Sequence, residues 1–395
     1  MATKIVTKNS STGGSAPSAS DLVQGELAVN VTDKRLYTEN NAGAIVELGT
    51  NPSTIDINAG TVDGITSLST STSGTSNFIA GVNAGNSITS GGNYNTVVGD
   101  EAGTAITTGD DNTAVGKSAL TANTTASNNV AIGKSSLLSN TTGANNTAVG
   151  RSSLNVNTTG ASNVAVGYQA LDANTTADNN TAVGYASLGA NTTGDRNTAM
   201  GALAGDAITT GRFNTTVGYN AGSGVTTANA NTFIGDSTGS STTTGTNNVA
   251  VGQSALNANT TASNNTAIGE GALLANTTAA NNTAVGKSAL LANTTGAYNV
   301  ALGRSALSAN TTASYNVAIG GDALPANTTG ANNTAVGTNA LLANTTADNN
   351  TAMGYNAGAA VTTGVNNTLI GNACGDATDD GGNNTAVGYG ALSAN

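Results

Sequence analysis

The 395-residue chain has no histidine, no tryptophan, one cysteine and three prolines, and only 8% of its residues are charged. A single cysteine cannot form a disulfide within the chain, so the fold does not depend on one. Cys374 takes a position that alanine, serine or threonine fills elsewhere in the repeat described below, which favours a buried packing role over a nucleophile or a ligand. Because no carboxylate pair, activated nucleophile or phosphate loop stands out, we predict neither an enzyme nor a bound cofactor.

Basic clusters and long apolar runs are also missing. The chain begins Met1-Ala2-Thr3-Lys4 and continues with polar residues, unlike a signal peptide. It has no apolar stretch of the length that crosses a bilayer as a helix. The formal net charge is −11, which argues against nucleic-acid binding and against attachment to an anionic membrane surface.

The sequence does contain much glycine and a strict repeat. Its 52 glycines and few charges would indicate disorder if the sequence were aperiodic. Instead, a glycine closing an Ala-Val-Gly-like triplet recurs with a constant 17-residue period, without insertion, through eighteen units. These reference glycines are Gly99, Gly116, Gly133, Gly150, Gly167, Gly184, Gly201, Gly218, Gly235, Gly252, Gly269, Gly286, Gly303, Gly320, Gly337, Gly354, Gly371 and Gly388. The period predicts an all-β, parallel β-solenoid (a β-roll) in which each 17-residue coil stacks on the one before.

Aligning the coils by the reference glycine places equivalent residues in columns. Four residues before the glycine stands Asn in every unit, and stacked strands would bring these amides to about 4.8 Å, close enough for a hydrogen-bonded ladder. The first complete coils supply the predicted ladder residues Asn112, Asn129, Asn146, Gly116, Gly133 and Gly150. The three residues between Asn and Gly are short and β-prone, which predicts a strand that ends at a corner. We expect two or three such strands per coil.

The residue four positions after the reference glycine divides the units into two types, which we call Leu coils and Gly coils. It is Leu in twelve units, such as Leu120 and Leu256, and Gly in six, such as Gly103. Seven positions after the glycine, the Leu coils carry Asn, whereas the Gly coils carry Ile106, Ile208 or another Ile, Val or Thr. We predict that Leu and the residue three places later fill one buried slot, because an empty cavity would cost several kcal/mol.

Two surface features are candidates for binding. The column directly after the glycine is the most variable, with Lys117 and Tyr168 among its members, and predicts an exposed corner. Tyrosine there could contact glycans, and a solvated tyrosine ladder is the alternative. The group Asp376, Asp379 and Asp380 has the oxygen ligands that Ca²⁺ prefers. A soluble last coil is the alternative, and we assign no metal site.

Three segments precede the solenoid, which is predicted to cover residues 77–395. Residues 1–20 are polar and indicate a flexible arm or a segment ordered only on a partner. Residues 21–50 alternate like three strands with two turns, which predicts a small β-meander. Residues 51–76 form a Ser-, Thr- and Gly-rich linker. A meander of this size buries little core alone, so we expect it to pack on copies of itself or dock on a larger partner.

The meander contains Gln24-Gly25-Glu26-Leu27-Ala28-Val29-Asn30 and Lys34-Arg35-Leu36-Tyr37. These two stretches resemble the N-terminal segment of many tail fibres of tailed bacteriophages, the end that joins the particle. The resemblance covers about the first 50 residues. The particle-anchoring residues that it implies are Gly25, Glu26, Leu27, Leu36 and Tyr37.

The repeat unit, as in Asn332-Asn333-Thr334-Ala335-Val336-Gly337, is similar to repeats in the heads of trimeric autotransporter adhesins. Those heads are trimers of left-handed parallel β-rolls, so the resemblance implies left-handed coils. Similar repeats with Ala-Leu and Asn-Thr-Thr-Gly elements occur in phage and bacterial fibre proteins that end in a self-cleaving chaperone domain. This chain shows neither the adhesins' stalk and anchor nor that chaperone, and it stops at Asn395 in mid-repeat. We therefore expect that a C-terminal part is cleaved off or missing.

The columns also predict an oligomer. Alternation along the strand sends the Ala column to one face and its Thr/Val and Val/Ile neighbours to the other. Because one 17-residue coil cannot easily bury both faces, we expect an apolar stripe to be buried between copies in a parallel homotrimer. A monomeric solenoid is the alternative.

Three functions fit these features. The first is a structural fibre of a phage virion, which holds other virion proteins at its N-terminus away from a host-cell receptor or glycan. The second is a trimeric adhesin on a bacterial surface. The third is an ice-binding solenoid, suggested by the paired threonines of each coil, although adjacent side chains point to opposite faces.

Overall fold

The computed structural model describes residues 7–10, 18, 27–30, 35–39, 45–47, 74–377 and 379–393. Every secondary-structure element in this part of the chain is a β-strand, and none of it forms a helix capable of crossing a bilayer. The chain divides into two compact units, Met1–Ser67 and Leu68–Asn395.

The first unit contains a four-stranded sheet in chain order. Its strands are β1 (Thr7–Ser10), β2 (Leu27–Asn30), β3 (Arg35–Glu39) and β4 (Ile45–Glu47). β2, β3 and β4 are antiparallel neighbours, as expected of a meander. β1 pairs in parallel with β2, although its polar sequence shows no alternation that predicts a strand. The boundaries of the four predicted segments stay a prediction.

The second unit is a parallel β-solenoid whose strands pair one coil with the next, so the predicted fold and period are confirmed. Its nineteen strands, β5–β23, are Phe78–Ala80, Thr96–Val98, Thr113–Val115, Val130–Ile132, Thr147–Val149, Val164–Val166, Thr181–Val183, Thr198–Met200, Thr215–Val217, Thr232–Ile234, Val249–Val251, Thr266–Ile268, Thr283–Val285, Val300–Leu302, Val317–Ile319, Thr334–Val336, Thr351–Met353, Thr368–Ile370 and Thr385–Val387. The first strand pair aligns Phe78 with Thr96, a spacing one residue longer than the repeat. Every later pair aligns residues one 17-residue repeat apart, such as Thr113 and Val130. At about 4.8 Å per strand the stack is about 85 Å long. The left-handed winding and the homotrimer stay predictions.

The core of the solenoid is a thin line of small residues. In each strand from β6 to β23 the middle residue is buried and its two neighbours are partly or fully exposed, as in β7, where Ala114 lies between Thr113 and Val115. The Ala and Leu columns form one continuous buried cluster along the rod. The predicted alternation of faces is therefore confirmed, with the Ala column inside.

Each coil has one strand in the described part of the solenoid, which corrects the expectation of two or three. The cause is the backbone conformation of the other residues. In one coil Ser118, Leu120, Asn128 and Gly133 have φ of +56°, +54°, +61° and +131°, and a chain that turns repeatedly into the left-handed region cannot run extended. These stretches still bond from coil to coil, since the Leu120 N–H donates to the Ser136 carbonyl at 2.9 Å.

Candidate functional site

The reference glycines form a spine in which successive backbones touch. Gly116, Gly133 and Gly150 have φ between +131° and +133°, a region that side-chain-bearing residues rarely adopt. A Cβ added to Gly116 would lie 2.7 Å from the carbonyl carbon of Gly133, and one on Gly133 would lie 2.6 Å from that of Gly150. Both the conformation and the contact between coils therefore require glycine.

The asparagines at the predicted ladder positions are hydrogen-bonded from coil to coil, mainly through a backbone N–H that donates to a side-chain oxygen and in some coils also through an amide-to-amide bond. The backbone N–H of Asn129 donates to Oδ1 of Asn112, and that of Asn146 donates to Oδ1 of Asn129, both at 3.0 Å. Nδ2 of Asn112 donates to the carbonyl of Ala126 at 2.9 Å and to Oδ1 of Asn95 at 3.1 Å. Of the three asparagines among the predicted ladder residues, Asn129 alone has an Nδ2 without a hydrogen-bond partner. Each fully buried amide thus supplies an acceptor to the next coil.

A second asparagine ladder was missed at the sequence level. Nδ2 of Asn140 donates to Oδ1 of Asn123 at 3.1 Å and to the carbonyl of Gly143 at 2.9 Å, and Nδ2 of Asn157 donates to Oδ1 of Asn140 at 2.8 Å. The two uninterrupted blocks of Leu coils carry it from Asn123 to Asn191 and from Asn259 to Asn344. The strict pairing of this Asn with Leu was the available signal.

The paired threonines play two different parts. The first hydroxyl of each pair donates to the carbonyl of the equivalent residue in the next coil, from Thr124 to Thr141 at 3.3 Å and from Thr141 to Thr158 at 3.0 Å. The second threonine, such as Thr125, is exposed. Only one of the two threonine columns therefore faces solvent.

The interior slot holds different side chains in the two coil types. Its four predicted residues, all fully buried, are Leu120, Leu256, Ile106 and Ile208. A Cβ added to Gly103 would lie 2.8 Å from Cδ1 of Ile106, and one on Gly205 would lie 2.9 Å from Cδ1 of Ile208. In these Gly coils the isoleucine thus occupies the space next to the glycine. That Leu of a Leu coil and Ile of a Gly coil fill the same buried slot stays a prediction.

A third column shares this interior. The four residues larger than alanine at the middle of a solenoid strand after β5 are Val97, Thr216, Phe233 and Leu369, and each lies in a Gly coil. A Cβ added to Gly239 would lie 2.7 Å from Cε1 of Phe233, and one on Gly375 would lie 2.7 Å from Cδ1 of Leu369. Large strand residues are therefore found where the Leu side chain is absent, because the packed interior has room for one of them.

The leucines of the Leu coils sit in an unfavourable backbone conformation. Leu120 and Leu256 both have φ of +54°, which costs a residue with a side chain about 1–2 kcal/mol. Burial of the side chain offsets that cost. The same conformation suits glycine, so a column restricted to Leu and Gly was a sequence clue to positive φ.

The column after the reference glycine is exposed, and in consecutive coils it brings together charges and rings that lie far apart in the sequence. Its members from the second to the sixth unit are Lys117, Lys134, Arg151, Tyr168 and Tyr185. Nζ of Lys117 lies 3.0 Å from Oδ2 of Asp100, and this hydrogen bond raises the pKa of Lys117. The Arg151 guanidinium lies over the Tyr168 ring at 5.6 Å, and the rings of Tyr168 and Tyr185 stack at 5.8 Å.

The remaining candidates are Cys374 and the acidic group of the last coils. Cys374 is buried, as predicted, with its Sγ 3.3 Å from the Ala386 carbonyl, and burial raises its thiol pKa. Asp379 accepts a hydrogen bond from the Thr362 hydroxyl. No group of three acidic, His or Cys side chains suited to a metal ion occurs in the described ranges, where Asp376 and Asp380 also lie.

The predicted anchoring residues lie in the N-terminal sheet or beside it. Tyr37 is buried opposite Ala28 across the β2–β3 pair, whereas Leu27 and Leu36 are half-buried. Gly25 and Glu26 lie outside the described residues. Their part in attachment to a particle stays a prediction.

Comparison with known proteins does not identify a function, so a functional proposal depends on the geometry of the solenoid. No protein-family model and no curated protein matches this chain. The class that the fold defines is a rigid parallel β-solenoid with a glycine spine and asparagine ladders.

Proposed function

We propose that this protein is the shaft of an extracellular fibre of a phage virion, in which the solenoid is a rigid spacer. The observation that carries the proposal is the uninterrupted stack of nineteen strands, whose spine and first ladder continue through both coil types. The resemblance of the N-terminal stretch to phage tail fibres supports attachment of that end to other virion proteins. The far end then meets a host-cell receptor or glycan, and the fibre acts without catalysis or a cofactor.

Stiffness follows from hydrogen bonds on several sides of each coil. Around one coil, three backbone N–H groups donate to backbone carbonyls of neighbouring coils. These bonds join Val130 to Asn146 at 2.8 Å, Leu137 to Ser153 at 3.0 Å, and Gly133 to Val115 at 2.8 Å. Bending the rod would stretch one of these rows while it compressed another. A spacer that must hold two ends apart benefits from this arrangement.

The outward face of the strands supports a homotrimer. The residue just before each reference glycine is Val, Ile, Met or Leu throughout the stack, and its side chain points outward. Met200, Leu302 and Met353 remain 47%, 46% and 43% exposed in the single chain. A continuous apolar stripe of this kind is typical of a surface that becomes buried against a partner, and a parallel neighbour with the same period matches it coil for coil.

Sedimentation tests the trimer. We expect a mass three times the chain mass of 38.0 kDa. The double variant Met200→Lys/Leu302→Lys should sediment as a monomer, because it places charge inside the stripe, whereas Thr312→Lys, on an exposed column elsewhere, should leave the trimer intact. A wild-type monomer would contradict this part of the proposal.

Co-purification tests the virion assignment. The full chain should sediment with phage particles, and a variant lacking residues 1–50 should keep its rod but lose the particles. Recovery from the surface of uninfected bacteria would instead indicate an adhesin. Freezing hysteresis in solution would indicate an ice-binding role, which the single exposed threonine column does not favour.

A further inference from the structure

One stretch of the exposed column departs from the acidic character of the chain. Lys134, Arg151, Tyr168 and Tyr185 follow one another in four consecutive coils and are all exposed. We propose that they form a binding line for an acidic polysaccharide, whose carboxylate or sulfate groups bind the two cations. An acidic polysaccharide would be the host ligand of the fibre proposed above. The biological role of this binding rests on that proposed function, whereas the binding itself follows from the residues of the solenoid.

The two cations lack carboxylate partners, unlike most others of the solenoid. Within the described part of the solenoid, four ion pairs link coils, formed by Lys117 with Asp100, Arg212 with Asp195, Lys287 with Glu270, and Arg304 with Asp322. Among the described residues, Lys134 and Arg151 form no ion pair. In a chain with a net charge of −11, two adjacent unpaired cations are a local exception that an anion can bind without displacing a carboxylate.

The rings beside Arg151 fix its position. Its guanidinium carbon lies 5.6 Å from the Tyr168 ring centre, within the range of cation–π attraction. Tyr168 in turn stacks on Tyr185 with an angle of 15° between the ring planes. This stack holds Arg151 along the rod, and the half-exposed Tyr185, at 53%, continues the line with a phenol that can donate to a sugar hydroxyl or carboxylate.

The surroundings of the line fit a carbohydrate better than a nucleic acid. Ser135 and Ser152 lie directly after the two cations and are partly exposed, so neutral hydroxyls stand beside each charge. Both faces of Tyr168 are covered, by Arg151 and by Tyr185, and cannot stack with a base as single-stranded nucleic acids require. A straight row with a pitch of about 4.8 Å suits a linear chain that lies along the rod.

The test uses the full chain and immobilised polygalacturonate, with neutral dextran and a single-stranded oligonucleotide as comparison ligands. We expect salt-sensitive binding to polygalacturonate alone. Lys134→Ala/Arg151→Ala should weaken it about tenfold, which corresponds to two exposed charge contacts. An unchanged far-UV spectrum and unfolding temperature would show that the fold is retained.

A matched pair in the same column provides the control. Lys287 and Arg304 also occupy consecutive coils, but Glu270 and Asp322 neutralise them. Lys287→Ala/Arg304→Ala should therefore leave the affinity within about twofold of the wild type. Equal losses in both double variants, binding no stronger than to dextran, or equal binding of the oligonucleotide would each overturn the inference. None of these results would change the length or the virion attachment of the fibre, so a failure here is distinct from failure of the proposed function.

Discussion

The Leu coils and the Gly coils show which parts of the repeat the fold requires. Both types have the glycine spine and the first asparagine ladder, as the bond from the Asn214 N–H to Asn197 Oδ1 at 3.0 Å shows for a Gly coil. They differ in the interior, where Leu and a second asparagine are replaced by Gly and a residue such as Ile208. Backbone contacts between coils therefore define the rod, whereas the interior needs only to be filled.

Each type of interior has its own weakness. The Leu coils hold Leu at positive φ but gain the second ladder. The Gly coils avoid that strain, yet one of them buries the Thr216 hydroxyl without a hydrogen-bond partner. This difference can be tested by substitutions that act on the shared spine, on the slot or on the buried polar groups.

Substitution of the spine should have the largest effect, and the same effect in both coil types. Gly133→Ala in a Leu coil and Gly218→Ala in a Gly coil each bring a Cβ within 2.6 Å of the next glycine's backbone. We expect each to lower the free energy of unfolding in urea by about 4 kcal/mol or more. Gly321→Ala is the control, because nothing lies within 4 Å of its added Cβ. A loss below about 1 kcal/mol at either spine position would contradict the requirement for glycine.

Conversion of one coil type into the other comes next. Leu256→Gly empties the slot and should cost about 3 kcal/mol. Adding Asn259→Ile should restore part of that loss, because the isoleucine would fill the space as Ile106 does. The coil before Leu256 is a Gly coil, and the bond that Asn259 donates to it is a long one, from Nδ2 to Thr242 Oγ1 at 3.3 Å. Replacement of Asn259 therefore loses little bonding to that coil. If the double variant melts no higher than Leu256→Gly alone, the shared slot is wrong.

A smaller effect of opposite sign is expected at Thr216. Thr216→Val removes a fully buried hydroxyl that has no hydrogen-bond partner, and should raise the free energy of unfolding by about 1 kcal/mol. The neighbouring Thr215→Val, on the outward face where Val249 stands in a later strand, should change it by less than about 0.5 kcal/mol. Destabilisation by Thr216→Val would show that its hydroxyl has a partner in solution.

The smallest effect concerns two half-buried carboxyls in the same column, Asp206 in a Gly coil and Asp172 in a Leu coil. Burial raises the pKa of both above the ordinary 3.8. Hydrogen bonds offset part of the rise, from the backbone of Asp206 and Ala207 at Asp206 and from the Gln169 side chain at Asp172. Since a raised carboxyl pKa means stability lost as pH rises through it, Asp206→Asn should raise the unfolding temperature at about pH 7 but not at about pH 3. Asp172→Asn should shift the unfolding temperature in the same direction, and a gain that persists at about pH 3 in either variant would exclude ionisation as the cause.

The sequence predicted the repeat but not all of its bonding. The fixed spacing of the reference glycines was sufficient for the fold, and the Asn, Thr, Ala and Val columns located the single strand of each coil. The conformation of Leu120 was not predicted, because leucine rarely adopts positive φ and the restriction of its column to Leu and Gly was not interpreted as a sign of that conformation. Without it, the rest of the coil was assigned to further strands.

The candidate site was partly hidden for a different reason. The sequence shows no basic cluster, because Lys134 and Arg151 are separated by a full repeat, and only the stacking of coils makes them neighbours. The column of Asn123 was interpreted only by its pairing with Leu, and its own hydrogen-bonded ladder was not predicted. In a solenoid, therefore, each column must be examined along the rod for charge and hydrogen bonding as well as for volume.

The most direct test of the account is an internal deletion measured by electron microscopy. Removal of residues 117–201 takes out five whole coils and joins Gly116 to Ala202, so each later column keeps its register. We predict a folded rod shorter by about 24 Å, whereas removal of residues 117–193, about four and a half coils, should disrupt the stack. A rod of unchanged length after the first deletion, or equal disruption by both, would contradict the claim that each repeat unit forms one rung of a rigid spacer.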